Sequence, residues 1–189
     1  MCCLFGLIDY GHTLSGKQKS RIISTLATAC EVRGKDATGI AYNNNGKLCI
    51  YKRPLPASLM RFKIPADAHV IMGHTRMTTQ GSAKKNYNNH PFLGQAGDDT
   101  FALAHNGVLW NDYELRHERL LPHTKIETDS YIAVQLIEQQ KALHPQSLKN
   151  MAEELEGSFC FTVLDKADNL YVVKGKPAWS GSFCAAAVK

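Results

Sequence analysis

The chain opens MCCLFGLIDY, with a cysteine directly behind the initiator methionine. Loss of Met1 would give Cys2 two functional groups on one residue: a thiol of pKa about 8.5 and an α-amine of pKa about 8. An amine of that strength takes up a proton near neutral pH, directly or through one water. The position therefore supplies a nucleophile together with its own base. A plainer reading makes Cys2 and Cys3 small apolar residues at the start of a buried strand. Polar residues collect in five other segments: RGKDATG (33–39), GHTRMTTQG (73–81), NNHP (88–91), HNG (105–107) and ETDS (127–130). Taken singly, each has a structural explanation. Arg76 can pair with a carboxylate, Asn106-Gly107 can be a turn, and Asp129 can cap a helix.

Together with Cys2, these segments resemble the class II glutamine amidotransferase domains, the cysteine branch of the N-terminal-nucleophile hydrolases. The resemblance runs from Cys2 to about Lys174. It is carried by Cys2 to Gly6, by Arg33, Gly34, Asp36 and Gly39 (RGxDxxG), and by Gly73 to Arg76 (GHTR). Asn88, His90 and Pro91 (N-x-HP), His105 to Gly107 (HNG) and Thr128 to Ser130 (TDS) complete it. The resemblance implies an α+β fold, a four-layer αββα sandwich of two antiparallel sheets between helical layers. It implies hydrolysis of the side-chain amide of L-glutamine through a Cys2 thioester. The Asn106 side chain and the Gly107 N–H would donate to the developing oxyanion. Arg76 would bind the substrate α-carboxylate with its planar fork, and Asp129 the α-ammonium. Thr78 or Thr79 would add a hydroxyl, Arg33 would support the Cys2 end of the pocket, and His105 joins the substrate-binding set. Ammonia would pass to an acceptor handled by a synthase partner. Two other functions keep the same residues: hydrolysis of another γ-glutamyl or small amide, or a non-catalytic binding module of this fold.

The sequence departs from the family pattern in places. Cys3 stands where many relatives have glycine. Met77 and Gln80 stand where some synthase-linked members have an aromatic residue and a histidine. The polar stretch from Thr79 to Pro91 has the length and composition of a lid.

These residues need elements to hold them. CLFGLIDY reads as a buried strand. The segment 15–34 reads as a helix capped by Ser15 and stopped at Gly34. ATGIAYNNNGKLCIYKR predicts a hairpin turning at Asn45-Gly46. PASLMRF suggests a short helix and AHVIMGHTR a strand. TFALAHNGVLW reads as a strand that breaks at His105–Gly107. NDYELRHERLL predicts a short helix, ETDSYIAVQLIEQQKAL a longer one capped by Thr128 or Asp129, and PQSLKNMAEELE a third begun by Pro145. A last hairpin turns at Ala167–Asn169, and the end, PAWSGSFCAAAVK, is expected to fray.

Length and composition fit one domain over 1–189. Charged residues make up 21% and hydrophobic residues 44%, an ordinary globular profile. The net charge of +5 comes without a long basic run, which argues against nucleic acid. No apolar run is long enough for a membrane span, and the amino terminus lacks a secretory signal, so a cytoplasmic location is expected. Six cysteines without a C-x-x-C pair, and eight scattered histidines, suggest neither a disulfide framework nor a metal site, and no cofactor is expected. The oligomeric state is not readable.

Overall fold

A computed structural model describes residues 2–175 and the backbone of 183–188. Two sheets form its centre. The first has the order β3-β2-β4-β1-β9, from β1 (Cys3–Asp9), β2 (Ala37–Asn44), β3 (Lys47–Arg53), β4 (Val70–Arg76) and β9 (Phe183–Val188). The second has the order β5-β6-β7-β8, from β5 (Phe92–Ala96), β6 (Asp99–Leu109), β7 (Gly157–Asp165) and β8 (Leu170–Lys174). Every pairing is antiparallel except β1 with β9. Those two strands come from opposite ends of the sequence, so no hairpin dictates their direction.

Side-chain alternation along the strands builds the layers. Cys3, Phe5 and Leu7 face outward onto Ile23, Ala27 and Cys30 of α1 (Gly16–Cys30). Leu4 faces the other way, meeting Met72, Ala102, Ala104 and Leu164 between the sheets. On the far side, Phe101, Leu103, Phe161 and Val163 pack against Ile132, Leu136 and Ile137 of α3 (Tyr131–Gln139) and Leu148 and Met151 of α4 (Pro145–Glu154). Helix, sheet, sheet and helix thus stack in the four layers of an αββα sandwich. A shorter helix, α2 (Asp112–Glu118), follows β6.

A fully buried ion pair anchors the far end of β1. Lys19 Nζ lies 3.1 Å from Asp9 Oδ2 and donates to the carbonyls of Ala66 (2.7 Å) and Ala68 (2.8 Å). The Asp9 carboxylate also accepts from the Thr13 and Leu14 amides. Its neighbours hold it below the usual carboxylate range even though burial pushes upward.

Several local expectations need correction. β6 does not break at His105–Gly107; it continues to Leu109, with Asn106 opposite Cys160 and Gly107 opposite Phe159. Only glycine accommodates the Gly107 backbone, at φ 155°, without leaving the ladder. The strand β5 alternates buried and exposed residues, but the exposed Leu93 hides that alternation in the sequence. Helix α1 starts as expected, with a capping box between Ser15 and Gln18. It ends at Cys30, and a 3-10 turn of Glu31–Arg33 precedes Gly34. The cap of α3 is Ser130, because the Asp129 carboxylate is turned toward β6. PASLMRF contains only a 3-10 turn, Ala57–Leu59. The last hairpin forms, but the expected fraying does not extend to 183–188, which pairs with β1; residues 176–182 and 189 lie outside the described residues.

Candidate active site

Cys2 precedes β1, at the edge of the space between the two sheets. Its Sγ lies 3.5 Å from the Met77 carbonyl. Burial pushes its thiol up from the ordinary value, while the Met77 contact and the Arg76 charge pull it back. Arg33 Nε donates to the Cys2 carbonyl at 3.3 Å, fixing the backbone that carries the thiol. The 3-10 turn brings Arg33 there, and Gly34 is needed beside it. A Cβ at Gly34 would sit 2.4 Å from the Arg76 carbonyl carbon.

One small pocket, of about 20 Å³, collects Cys2, Arg76, Met77, Thr79, Gln80, His90, His105, Gly107, Thr128, Asp129 and Ser130. Cys2, Arg76, His105, Gly107 and Asp129 therefore come together from β1, β4, β6 and the start of α3. Asn106, next to Gly107, is 6% exposed. The two threonines separate. Thr79 lines the pocket, whereas Thr78 is exposed and its amide donates to Asp36 Oδ2 at 2.7 Å. A larger hollow of about 390 Å³ lies between α2 and residues 121–127, but Cys2 has no part in it.

Arg76 is 3% exposed and heavily engaged. Its Nη1 donates to Asn89 Oδ1 at 2.6 Å, and its Nη2 to the carbonyls of Gln80 (2.6 Å) and Gly81 (3.1 Å). Burial lowers the guanidinium from its ordinary value, with Cys2, Asp36 and Asp129 opposing. Asp129 accepts from the Leu109 amide at 2.9 Å and the Ser130 amide at 2.8 Å. The carboxylate thus ties the end of β6 to the start of α3 while lining the pocket.

The loop after β4 is latched onto the same segment. Gln80 Oε1 accepts from the Asp129 amide at 2.7 Å, Asn88 Nδ2 donates to Glu127 Oε2 at 2.8 Å, and Asn88 Oδ1 accepts from the Glu127 amide at 2.9 Å. Lys85 pairs with Glu127 as well.

Three buried imidazoles cluster at the pocket, His90 and His105 in its lining and His74 packed against them. His74 Nε2 meets the His105 carbonyl at 2.9 Å, and the His74 and His90 rings are 4.3 Å apart. His105 Nδ1 is 2.7 Å from Ser130 Oγ. Burial lowers all three, His74 to about 3 and His105 to about 4, so each is neutral at pH 7. Lys52, which donates to the Asn89 and Pro91 carbonyls, is lowered to about 8 by burial and by Arg76.

Sequence reasoning did not single out Asn89, His90, Thr128 or Ser130 for the site. Asn88, His90, Thr128 and Ser130 stood in recognised motifs, but Asn89, at the unspecified position of N-x-HP, is the residue that holds Arg76.

Fold comparison leads first to amidotransferases. The Bacillus subtilis glutamine phosphoribosylpyrophosphate amidotransferase complexed with ADP and GMP superposes with a TM-score of 0.65 at 21% identity, covering 87% of this chain and 35% of that one. A structure described as the allosteric regulatory enzyme of purine biosynthesis gives 0.70 at 21% identity, covering 88% and 36%. In sequence, the glutamine–fructose-6-phosphate aminotransferases (isomerizing) of Streptococcus pyogenes and Listeria innocua are 32% and 34% identical to this chain. They match 93% and 90% of it. The chain spans 29% of the length of each. A family model described as a glutamine amidotransferase domain matches residues 74–177, and the chain belongs to that family. It is a class II glutamine amidotransferase domain of the N-terminal-nucleophile type.

Proposed function

We propose that this domain hydrolyses the side-chain amide of free L-glutamine through a thioester on Cys2 and that the ammonia passes to an acceptor site outside residues 1–189. The observation that carries the reading is the shared pocket of Cys2, Arg76, Gly107 and Asp129: a thiol, a cation, a donor-bearing glycine and an anion. With Met1 removed, the Cys2 amine takes the thiol proton and the sulfur attacks the amide carbon. Charge gathers on the amide oxygen, where the Gly107 N–H and the Asn106 side chain donate. The tetrahedral intermediate collapses, the amine returns its proton to the leaving nitrogen, and ammonia departs. Water then cleaves the thioester to release glutamate.

Arg76 and Asp129 bind the two α-groups, which favours the free amino acid over glutamine within a peptide. Thr79, rather than Thr78, is the hydroxyl available to the substrate. The pocket has room for about one water, so substrate entry requires the Gln80 and Gly81 carbonyls to leave the Arg76 guanidinium. The same readjustment frees the Arg76 fork for a carboxylate.

The fructose-6-phosphate aminotransferases named above join such a domain to further chain, and by analogy the acceptor is a sugar-phosphate-type site on a partner or a further domain. The test is glutamate release from L-glutamine by the Met1-processed protein, with Cys2→Ala as the control. Turnover that vanishes in Cys2→Ala supports the reading. A processed wild type that is neither active, alone or with its acceptor, nor alkylated at Cys2 by a glutamine analogue overturns it.

A further inference from the structure

Three polar atoms of residues lining the Cys2 pocket have no hydrogen-bond partner: His90 Nδ1, His90 Nε2 and the Thr128 hydroxyl. Their residues are 4% and 3% exposed. Buried polar atoms are ordinarily paired, with protein or with ordered water. Packing alone does not call for a histidine at position 90. The ring lies 4.3 Å from His74 and 4.4 Å from Phe92, ring contacts that use its faces rather than its nitrogens. The two nitrogens are therefore left to serve the pocket, whose size suits one water-sized molecule. A neutral imidazole offers one donor and one acceptor, and a threonine hydroxyl offers both. The set can thus hold a small molecule that both donates and accepts.

We infer that His90 and Thr128 form a subsite for one small neutral hydrogen-bonding molecule, occupied during turnover by the water that hydrolyses the Cys2 thioester. The inference rests on the glutaminase reading above. In this step the water oxygen bonds to the acyl carbon and the C–S bond breaks. The electron pair returns to the Cys2 sulfur. One water proton passes to the Cys2 amine and from there to the thiolate, restoring the thiol and free amine. Departing ammonia has the same size and hydrogen-bonding chemistry, and the two occupants differ in the step they would affect.

The experiment follows the acyl-enzyme by intact mass in acid-quenched samples of the processed protein turning over L-glutamine. Wild type is compared with His90→Phe, which keeps the ring packing, and Thr128→Val, which keeps the shape. Slowed hydrolysis lowers kcat at least about tenfold and lowers KM with it, leaving kcat/KM nearly unchanged. The glutamyl-Cys2 adduct accumulates, and hydroxylamine, which attacks the thioester directly, restores turnover as the hydroxamate. If kcat/KM falls and no adduct accumulates, the groups act before the thioester, as an ammonia site or a structural prop would, and the water assignment is overturned. An adduct of unchanged lifetime in both variants overturns the subsite alone. A processed wild type that neither releases glutamate nor is alkylated at Cys2 by a glutamine analogue overturns the glutaminase reading and the subsite with it. If His90→Phe does not fold, Thr128→Val decides by the same criteria.

Discussion

Arg76 and Asn89 face each other from the two ends of one loop, with the guanidinium Nη1 donating to the Asn89 side-chain oxygen at 2.6 Å. Asn89 is itself held, its Nδ2 donating to the Ala83 carbonyl at 2.8 Å. This fixes the direction in which the cation points. Asn89→Ala should raise KM for glutamine about tenfold or more, as expected for losing a hydrogen bond to a charged group worth roughly 1.5–3 kcal/mol. Arg76→Ala should raise it further. Steady-state kinetics with wild-type KM in both variants would show that the cation does not meet the substrate.

Gly107→Ala tests the oxyanion corner. A Cβ there would lie 1.8 Å from the Ser158 carbonyl oxygen, on a backbone of φ 155°. The strand must move, and its N–H with it. A loss of about 10²–10³ in kcat is expected, the usual effect of removing one such donor. Circular dichroism should show that the fold survives. A variant that folds and turns over at the wild-type rate removes Gly107 from the chemistry.

The raised Cys2 thiol gives a pH signature. Burial favours the uncharged thiol, so the thiolate fraction near neutral pH is smaller than for an exposed cysteine. Alkylation of Cys2 by iodoacetamide should climb with pH and still be climbing where a free thiol of pKa about 8.5 has levelled off. Peptide mapping after timed quenching measures it. A plateau below pH 8 would contradict the assigned environment.

His74, His90 and His105 bear on stability in acid. Their folded values lie below the ordinary 6.5, chiefly through burial, although Asp129 pulls His105 back up. Below about pH 6.5 the unfolded chain binds protons that the folded chain refuses, so stability falls as pH falls. The decline continues toward the folded values, about 4 for His105 and about 3 for His74. Urea midpoints should therefore drop from pH 7 to pH 5, and less steeply in His90→Phe. Equal slopes in the two proteins would mean that His90 titrates normally.

Periodicity revealed the buried strands and helices because burial repeats along the chain: Phe5 and Leu7 on one face, Ile132 and Leu136 on another. The Ser15 cap was readable because it is local; its partner in the capping box, Gln18, lies only three residues on. What sequence did not reveal depends on contacts between distant segments. Asp129 looks like a helix cap until the Leu109 amide is seen to occupy it. His105–Gly107 looks like a strand break until β7 is seen to continue the ladder. Asn89 carries no local pattern, because its partner Arg76 lies across a loop. For the proposed site, motif order suggested the residues, and pairing between strands and loops supplied the distances.

The first residues of a chain are usually its most mobile, yet Cys2 adjoins a strand flanked by neighbours on both sides and is gripped at its carbonyl by Arg33. The conformational entropy of that terminus is surrendered when the protein folds rather than when glutamine arrives. On the proposed chemistry the Cys2 sulfur would meet glutamine already immobilised, and an added residue or tag ahead of it would both acylate the amine and crowd the sulfur's approach.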